Sequence, residues 1–307
     1  MPRYLASRLL QAVLTTFGVM TIVFFVMRLS GDPVLLLVPE GATREHIETL
    51  RRELGFDQPI WRQYLTFLGG LARLELGVSV VQRVPAWDIL ATRIPYTLAL
   101  AGAALGVAIG VGVPAGVAMA VWRGRWFERP IAALVVTGQS MPTFLSGILM
   151  IMVFAVALRW LPSSGVDGLA SVIMPAIALG LLSMSTFARM ARIAVVDELS
   201  KDYVRAGLAR GLTLGQVVLR HVLRNAAIPV ITIAALEIGN LLAGAIIVET
   251  VFAWPGIGQL AIQAIQSRDF LVVQAIVLFV SLVYVAVNLA ADLVYGGIDP
   301  RIRLAQA

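Results

Sequence analysis

The sequence predicts an all-α integral membrane protein with six transmembrane helices. Of its 307 residues, 59% are hydrophobic and 14% are charged, and the mean hydropathy is +0.88. A chain of this composition cannot hide its apolar residues in one soluble core. Six stretches approach the roughly 20 apolar residues that a helix needs to cross a bilayer. They are residues 9–26, 98–121, 130–157, 172–187, 228–248 and 271–291, of which the fourth is the shortest.

Basic residues orient these spans, because short cytoplasmic loops carry an excess of Arg and Lys. Arginines are frequent before the first span, after the second and fourth spans, and after the sixth. The connection after the third span, residues 161–170, carries Asp167 as its only charge. We therefore expect both termini to be cytoplasmic. The net charge of +6 then requires no nucleic-acid partner.

The spans divide the chain into regions. Residues 1–30 hold an N-terminal segment and the first span, and residues 31–95 are expected to form a small helical periplasmic subdomain. Within it, Thr43 is placed to cap a helix ending near Gly55, and a second helix is predicted from Pro59 to about Leu76. Residues 96–300 form the core transmembrane domain, which includes a polar connection at 197–227. Residues 301–307 form a cytoplasmic tail.

The second span carries glycines at intervals of four residues, a spacing that permits close helix crossings. One row is Gly102, Gly106 and Gly110, and another is Gly112 and Gly116. We favour packing within this chain over packing against another one. Pro114, Pro142 and Pro175 are predicted to break or bend their helices, which is tolerated where protein or a water-filled cavity satisfies the freed backbone groups.

The 197–227 connection predicts a helix-turn-helix. Ser200 is placed to cap a short helix over residues 201–210, and Gly211 suits the left-handed position just past its end. Thr213 and Gln216 have the spacing of a capping box, which begins a second helix reaching about Asn225. The basic residues near the carboxyl end of that second helix are Arg220, His221 and Arg224.

Small residues on the first of these helices predict a contact surface, because Ala206, Gly207 and Gly211 let a partner approach the backbone closely. A solvated basic loop that only obeys the positive-inside rule is the alternative. The segment resembles the coupling loop of permease subunits of ATP-binding-cassette (ABC) importers, in particular the dipeptide, oligopeptide and nickel branch. The matching residues are Tyr203, Val204, Arg205, Ala206, Gly207, Ala209, Gly211, His221, Leu223, Arg224, Asn225, Ala226 and Pro229.

Further motifs extend this resemblance along the chain. The periplasmic region carries Gly31-Asp32-Pro33, a Leu-Gly-x-Asp-x-Pro motif at residues 54–59 and Leu-Gly-x-Ser at residues 76–79. The third span carries Ser140-Met141-Pro142. Residues 249–258 match the branch's Glu-x-x-Phe-x-Trp-Pro-Gly-x-Gly, which predicts an irregular aromatic outer loop able to line a gate.

The resemblance implies a type I ABC-importer fold and a permease that forms half of the transmembrane path for dipeptides or oligopeptides, including glutathione-like peptides. Its implied location is the inner membrane, among membrane lipids. The implied partners are a second homologous permease, two cytoplasmic ABC ATPases and an extracytoplasmic substrate-binding protein. ATP and Mg are expected on the ATPase subunits, so we expect no cofactor and no catalytic residue in this chain.

Two sets of candidate site residues follow from the resemblance and from the cost of polar groups at membrane depth. The ATPase-coupling set is Asp202, Tyr203, Arg205, Ala206, Gly207, Gly211, His221, Arg224, Asn225 and Pro229. The path and gate set is Ser140, Met141, Pro142, Glu237, Asn240, Glu249, Phe252, Trp254, Pro255 and Gly256. Glu237 stands where relatives often carry Gln, so an acid there either favours cationic substrates, pairs with an arginine or lies protonated.

The scarcity of lysine, cysteine and histidine limits the reactions and ligands that this chain can support. A phosphate-binding P-loop needs a lysine after glycine, yet the only lysine, Lys201, follows Ser200. The chain has no cysteine, and its two histidines, His46 and His221, fall on opposite sides of the predicted membrane. We therefore expect neither an ATPase active site nor a metal centre within this chain.

Other transport functions remain open at this point. Nickel-chelate and oligosaccharide importers share the permease pattern. A proton-coupled secondary transporter with Glu237 and Glu249 as proton carriers is a second class, but it predicts inverted internal repeats that are not evident. An intramembrane enzyme is less favoured, because no paired acids or metal ligands occur on one helix.

Overall fold

The computed structural model describes residues 2–29, 34, 38, 43–53, 55–73 and 75–298. Three predicted features lie outside the described residues: the Gly31-Asp32-Pro33 motif, Leu54 of the second periplasmic motif, and the 301–307 tail. The regular structure of the described residues is helical apart from one isolated antiparallel bridge between Val78 and Pro85.

The described residues form twelve α-helices and two π-helical segments. The α-helices are α1 Pro2–Leu29, α2 Arg44–Glu53, α3 Ile60–Ala72, α4 Ala86–Val121, α5 Glu128–Ser140, α6 Thr143–Met150, α7 Ala170–Leu199, α8 Asp202–Ala209, α9 Leu214–Val217, α10 Leu223–Val251, α11 Ile257–Gln266 and α12 Phe270–Ile298. The π-helical segments are π1 Ile151–Ala157, which follows α6, and π2 Val218–Val222, which joins α9 to α10.

Five of the six predicted spans fall on single helices, and the third falls on α5, α6 and π1, which agrees with the predicted helical fold class. Four helical runs are long and apolar enough to cross a membrane: α4, α7, the run from α9 to α10, and Phe270–Ala290 of α12. Helix α5 and the run Thr143–Ala157 pass the same test only as a pair, which is bent by 109° at the break between them. Helix α1 contains a shorter apolar part, Val13–Leu29.

The fourth predicted span is longer than the apolar pattern indicated. Helix α7 has 30 residues, and 61% of its most apolar window is buried, the largest share among the four long runs. Buried small and polar residues interrupt its apolar sequence, among them Gly180, Ser183 and Ser185. A helix enclosed by its neighbours needs less lipid-facing apolar surface, so hydropathy underestimated its length.

The chain divides into two compact units, Met1–Pro95 with Gln259–Val285, and Tyr96–Gly258 with Ala286–Ala307. In the first unit, Phe24 is 1% exposed and its ring lies 5.2 Å from those of both Tyr64 and Phe67 on α3. The Tyr64 hydroxyl hydrogen-bonds to Thr21 Oγ1 at 2.7 Å. The predicted cap of α2 is present, because Thr43 Oγ1 accepts a hydrogen bond from the His46 amide.

A loop in the first unit, residues 75–85, is anchored on Asp269, which is 3% exposed. The Ser79 hydroxyl donates to the Asp269 carboxylate, and the Gln82 amide donates to Ser79 Oγ at 2.9 Å. Gly77 has φ +81, a conformation that favours glycine. Helix α3 ends at Ala72, before the predicted Leu76, because residues 75–79 turn into this loop.

In the second unit, α4 crosses α7 at close range. A Cβ added to Gly112 or Gly116 would lie 2.5 Å from the Met184 carbonyl oxygen or 2.2 Å from that of Ala188. The predicted packing within the chain is therefore confirmed for this row of glycines. Among the described residues, and apart from the backbone of α4 itself, no atom lies within 4 Å of a Cβ added in the other row. That row is Gly102, Gly106 and Gly110.

The three predicted proline breaks have different outcomes. Pro142 follows the extended residue Met141 and separates α5 from α6, as predicted. Pro114 and Pro175 lie within helices that continue past them, so neither breaks its helix. Both lie at membrane depth on helices with packed neighbours, where the loss of one backbone hydrogen bond is tolerated.

Candidate functional site

The predicted coupling segment forms a helical hairpin, in which α8 and α9 are joined by the turn at residues 210–213. Helix α8 is short, eight residues from Asp202 to Ala209. Ser200 does not cap it, contrary to the prediction. Ser200 has helical φ and ψ and donates from its hydroxyl to the Asp197 carbonyl at 2.7 Å, so it ends α7. An N-cap residue needs non-helical backbone angles, and the residue with those angles is Lys201.

The turn that follows α8 matches the sequence prediction. Gly211 has φ +87 and occupies the left-handed position after the helix. The capping box is formed: the Gln216 amide donates to Thr213 Oγ1 at 3.3 Å, and the Thr213 amide donates to Gln216 Oε1 at 2.9 Å. Two local signals thus fix where the hairpin turns and where the next helix begins.

The second helix does not end near Asn225. It runs without a break from α9 through π2 and α10, over Leu214–Val251, with Pro229 inside it. Arg220, His221 and Arg224 therefore lie in its early turns rather than at its carboxyl end. No glycine occurs between Gly215 and Gly239 to stop the helix, and the polar character of the segment alone did not predict its length.

An apolar core holds α8 against the long helices. Val204 is 4% exposed and packs with Val217 and Val222, which are fully buried. Gly207 faces inward, because a Cβ at this position would lie 3.2 Å from Val217 Cγ2. Of the three small residues in the predicted contact surface, Gly207 therefore allows close packing inside the hairpin and Gly211 forms the turn. Ala206 remains on the exposed face.

The outward face of α8 carries small side chains and, at one end, a pair of charged side chains. Ala206 and Ala209 are exposed, and Asp202 and Arg205 form an ion pair with a 3.7 Å separation between Oδ1 and Nη1. The side chains of these two residues are 98% and 80% exposed, so the pair contributes little to the stability of the helix. This face has room for another protein to approach the backbone of α8.

Glu198 is a residue that the sequence prediction missed. It is 9% exposed and accepts hydrogen bonds from the Lys201 ammonium, the Tyr203 hydroxyl at 2.6 Å and the Asn225 amide at 3.3 Å. It thus joins the end of α7 to α8 and to α10. The Glu198 and Lys201 spacing of three residues was the only local signal for it.

The hydrogen bonds with Glu198 also change the pKa values of Tyr203 and Lys201. Burial, with a hydrogen bond to Glu198, raises the pKa of the Tyr203 hydroxyl above its ordinary value. The hydrogen bond to Glu198 also raises the pKa of the Lys201 ammonium. Both groups therefore keep their protons near neutral pH and remain donors to the Glu198 carboxylate.

Within the membrane-spanning part, Glu237 bonds to neutral partners. It is 9% exposed on α10 and accepts a hydrogen bond from the Ser183 hydroxyl of α7 at 2.6 Å. Asn240, one turn later, donates to its other oxygen at 3.4 Å. No arginine lies among the described hydrogen-bond or ion-pair partners of Glu237, so the predicted pairing with an arginine is not found there.

The Ser-Met-Pro sequence lies at the break between α5 and α6. Ser140 and Pro142 are exposed, while Met141 is partly buried. Next to the break, the Ser185 hydroxyl of α7 donates to the Val135 carbonyl at 2.7 Å, which fixes α5 on α7. The break therefore lies beside an anchored helix, with the exposed Ser140 donating from its hydroxyl to the Val136 carbonyl at 3.0 Å.

Glu249 holds the Trp-Pro-Gly turn. It is fully buried, and its two carboxylate oxygens accept hydrogen bonds from the Thr97 hydroxyl and the Gly258 amide, both at 2.6 Å. Thr97 Oγ1 in turn accepts from the Ile257 amide at 2.8 Å. A Cβ added to Gly256 would lie 2.1 Å from Glu249 Oε1, so this position requires glycine.

The aromatic residues of this turn are packed inward. Phe252 and Trp254 are 1% and 3% exposed and belong to the main apolar core of the second unit. The Trp254 indole donates to the Tyr96 carbonyl at 2.9 Å. Pro255 lies between them and α11. In this structure the predicted path and gate residues therefore form three groups: a buried turn around Glu249, the Glu237 and Asn240 pair on α10, and a break around Ser140.

The described residues contain no group of three or more His, Cys, Asp or Glu side chains placed to hold a metal ion.

Comparison with known proteins places two family matches on this chain. Residues 112–304 match the family described as "Binding-protein-dependent transport system inner membrane component". Residues 1–101 match the N-terminal region of a binding-protein-dependent transport system membrane component. Together the two matches cover the chain except for residues 102–111 and 305–307.

The chain is similar over its length to glutathione transport system permease proteins. The GsiC proteins of Escherichia coli K12 and of Shigella dysenteriae serotype 1 are each 41% identical to it over 304 residues, which is 99% of this chain and 99% of the relative. Among solved structures, the chain is similar to the MetNI methionine ABC transporter in inward-facing conformations. The TM-score is 0.60 at 21% identity, with 70% of this chain and 98% of that chain covered. This last likeness concerns the fold, which it identifies as that of type I ABC-importer permeases.

Proposed function

Because this chain belongs to the family of binding-protein-dependent transport system inner membrane components, and is a multi-pass permease subunit of an ABC importer, we propose that it forms half of an uptake path for short peptides. Its similarity to glutathione permeases at 41% identity supports a substrate of peptide type. The α8 hairpin is the observation that carries the mechanism. Its helix α8 exposes a face of small side chains and packs against two membrane-spanning helices.

The proposed assembly has four kinds of component. A second homologous permease completes the path, two ABC ATPases bind at the hairpin face, and an extracytoplasmic binding protein delivers the peptide. The arginine distribution supports cytoplasmic termini and a cytoplasmic position for α8. ATP and Mg bind to the ATPase subunits, and this chain has no catalytic role in the proposal.

The contacts of the hairpin would transmit force from an ATPase to α7 and α10. The outer face of α8 takes the contact with an ATPase, while Val204 and Glu198 connect the helix to α7 and α10. Movement of α8 when the ATPases close would pull on both long helices. Asp202, Arg205, His221 and Arg224 are exposed on this segment and are proposed to set the charge of the contact.

The proposed path contains the polar groups of the core unit. Glu237 with Asn240 on α10 and Ser140 at the α5 break are the groups that a peptide would pass. The Glu249 turn, with Phe252 and Trp254, is proposed to be the part of the gate that is closed in this structure, because it is buried and fully hydrogen-bonded.

Substitution of Ala206 tests the coupling role. Ala206→Trp places a bulky ring on the exposed face of α8 without touching its packed face. We expect the variant to enter the membrane and to assemble with the second permease, but to lose ATP-driven uptake by at least about tenfold, which is about 1.4 kcal/mol of coupling. The matched control is Ala206→Ser, which keeps the residue small and should transport normally.

The measurements are uptake and ATP hydrolysis by the complete transporter in proteoliposomes. Normal uptake by Ala206→Trp would contradict the docking role of α8. We prefer Ala206 to Gly211 for this test, because a side chain at Gly211 would strain its φ of +87 and disturb the fold of the turn itself.

A further inference from the structure

The first unit contains a cavity of about 970 Å³ that the transport mechanism above does not use. The ends of α1 and α12, the length of α3 and the 75–83 part of the loop line it. Its volume is at the upper end of the range of small-molecule sites, about 300–1,000 Å³. Its size therefore fits a compact ligand of a few residues.

The charge of the cavity wall is positive and incompletely paired. Arg28, Arg73 and Arg83 line it together with a single acid, Glu75, so the wall has a net charge of +2. Arg28 lies over the Phe56 ring at 4.4 Å from the ring centre. In the described part of the chain, Arg73, Glu75 and Arg83 take part in no ion pair, which leaves their charges available to a ligand.

Two amide side chains on the wall have unused hydrogen-bonding groups. Gln274 on α12 is 7% exposed, and its side-chain amide has no hydrogen-bond partner among the described residues. The buried Gln63 Oε1 also lacks a partner there, although Gln63 Nε2 donates to the Gln58 carbonyl at 2.7 Å. Buried polar groups are nearly always paired, so Gln63 Oε1 is an acceptor available to a donor that enters the cavity.

We propose that this cavity binds a short peptide with excess negative charge. The carboxylates of the peptide pair with Arg73 and Arg83, its ammonium pairs with Glu75, and its backbone groups pair with Gln274 and Gln63 Oε1. The proposal rests on the proposed function and gives it an additional binding site, separate from the core unit, that prefers acidic peptides.

A peptide fits the wall better than a phosphate group does. The buried Gln63 Oε1 lacks a donor and the Glu75 carboxylate is exposed, and peptide N–H and ammonium groups can donate to both. A phosphodiester anion would satisfy the arginines but would leave both of these acceptors without a donor. The unpaired acceptors therefore decide between the two anionic ligands.

Binding to the assembled transporter tests the proposal. The complete complex, without its binding protein, is placed in phosphatidylcholine nanodiscs and titrated with glutathione, with the neutral tripeptide Ala-Ala-Ala and with inorganic phosphate. We expect glutathione to bind at least about tenfold more tightly than either of the other probes. The pair Arg73→Gln with Arg83→Gln should weaken glutathione binding by at least about tenfold, because charge-assisted contacts are lost. Gln274→Leu should weaken it by about threefold to tenfold, because a neutral hydrogen bond is lost.

Two controls separate a binding role from a structural one. Arg62→Gln on α3 removes one exposed arginine that is not among those named on the cavity wall, and it should bind glutathione as the unmodified protein does. Gln274→Leu should melt at the same or a higher temperature than the unmodified protein, because it removes an unpaired buried amide. A lower melting temperature for Gln274→Leu would show that the amide is already paired and would overturn the site.

ATP-driven peptide uptake, measured in parallel, distinguishes failure of the cavity site from failure of the proposed transport function. Uptake with no glutathione binding to the complex, or with binding that the cavity variants leave unchanged, would overturn the site and leave the proposed function standing. Binding that is lost in the cavity variants, in a complex that imports no peptide, would support the site and overturn the transport role. Tighter binding of phosphate than of glutathione would assign the cavity to phosphate-bearing ligands and overturn the peptide proposal.

Discussion

Glu249 and Glu198 are both buried, but they stabilise different parts of the chain. Glu249 stabilises a turn: its carboxylate joins Thr97 to the Gly258 amide, and Gly256 has no room for a side chain beside it. Glu198 joins three helices through Lys201, Tyr203 and Asn225. A buried carboxylate is tolerated only when donors surround it, so each of these residues fixes the position of its donors.

Replacing Glu198 should uncouple the hairpin from the membrane. Glu198→Ala removes three hydrogen-bond acceptor contacts and should cost about 1–3 kcal/mol in the stability of the hairpin. We expect ATP hydrolysis to continue while ATP-driven peptide uptake falls. The measurement is the ratio of peptide imported to ATP hydrolysed by the reconstituted transporter.

The matched control for Glu198 is its neighbour Asp197. It is an exposed acid on the same helix, and Asp197→Ala changes the net charge by the same amount. An unchanged ratio of import to hydrolysis in Glu198→Ala, or an equal fall in both variants, would show that the hydrogen bonds of Glu198 do not position α8.

At the level of helices, the contact between α4 and α7 depends on glycine. Gly116 lies so close to the Ala188 carbonyl that an added Cβ would be 2.2 Å away. Gly106, on the other row of the same helix, has no atom within 4 Å of an added Cβ. The two positions share one helix and one residue type but differ in the space around them.

These two glycines provide a direct comparison of packing. Gly116→Ala should lower the stability of the folded chain by about 1–3 kcal/mol, because the helices must move apart. Gly106→Ala should leave stability unchanged or raise it by up to about 1 kcal/mol, because alanine favours the helix. Thermal melting in detergent measures both. Equal melting temperatures for the two variants would contradict the close crossing of α4 and α7.

At the scale of the whole molecule, features with local signals were predictable. The four long apolar helical runs follow from apolar stretches, and the turn after α8 follows from Gly211 and the capping box of Thr213 and Gln216. Each of these signals lies within a few residues of the feature it specifies. The family motifs extended the prediction to the transporter class.

Features that depend on distant partners were not predictable. Glu237 bonds to Ser183, 54 residues away, and Glu198 bonds to Asn225, 27 residues away. Sequence spacing along a helix carries no information about such pairs. The inward role of Gly207 and the extension of the second helix beyond Asn225 likewise depend on the packing of neighbouring helices.

Uptake by the complete transporter in proteoliposomes is the most direct test of the central claim. The chain is reconstituted with the second permease, the ATPases and the binding protein, and radiolabelled glutathione is supplied outside. The account predicts accumulation that requires ATP on the ATPase side and is unaffected when the proton gradient is collapsed. Accumulation driven by a proton gradient without ATP, or by this chain alone, would contradict it in favour of a proton-coupled carrier.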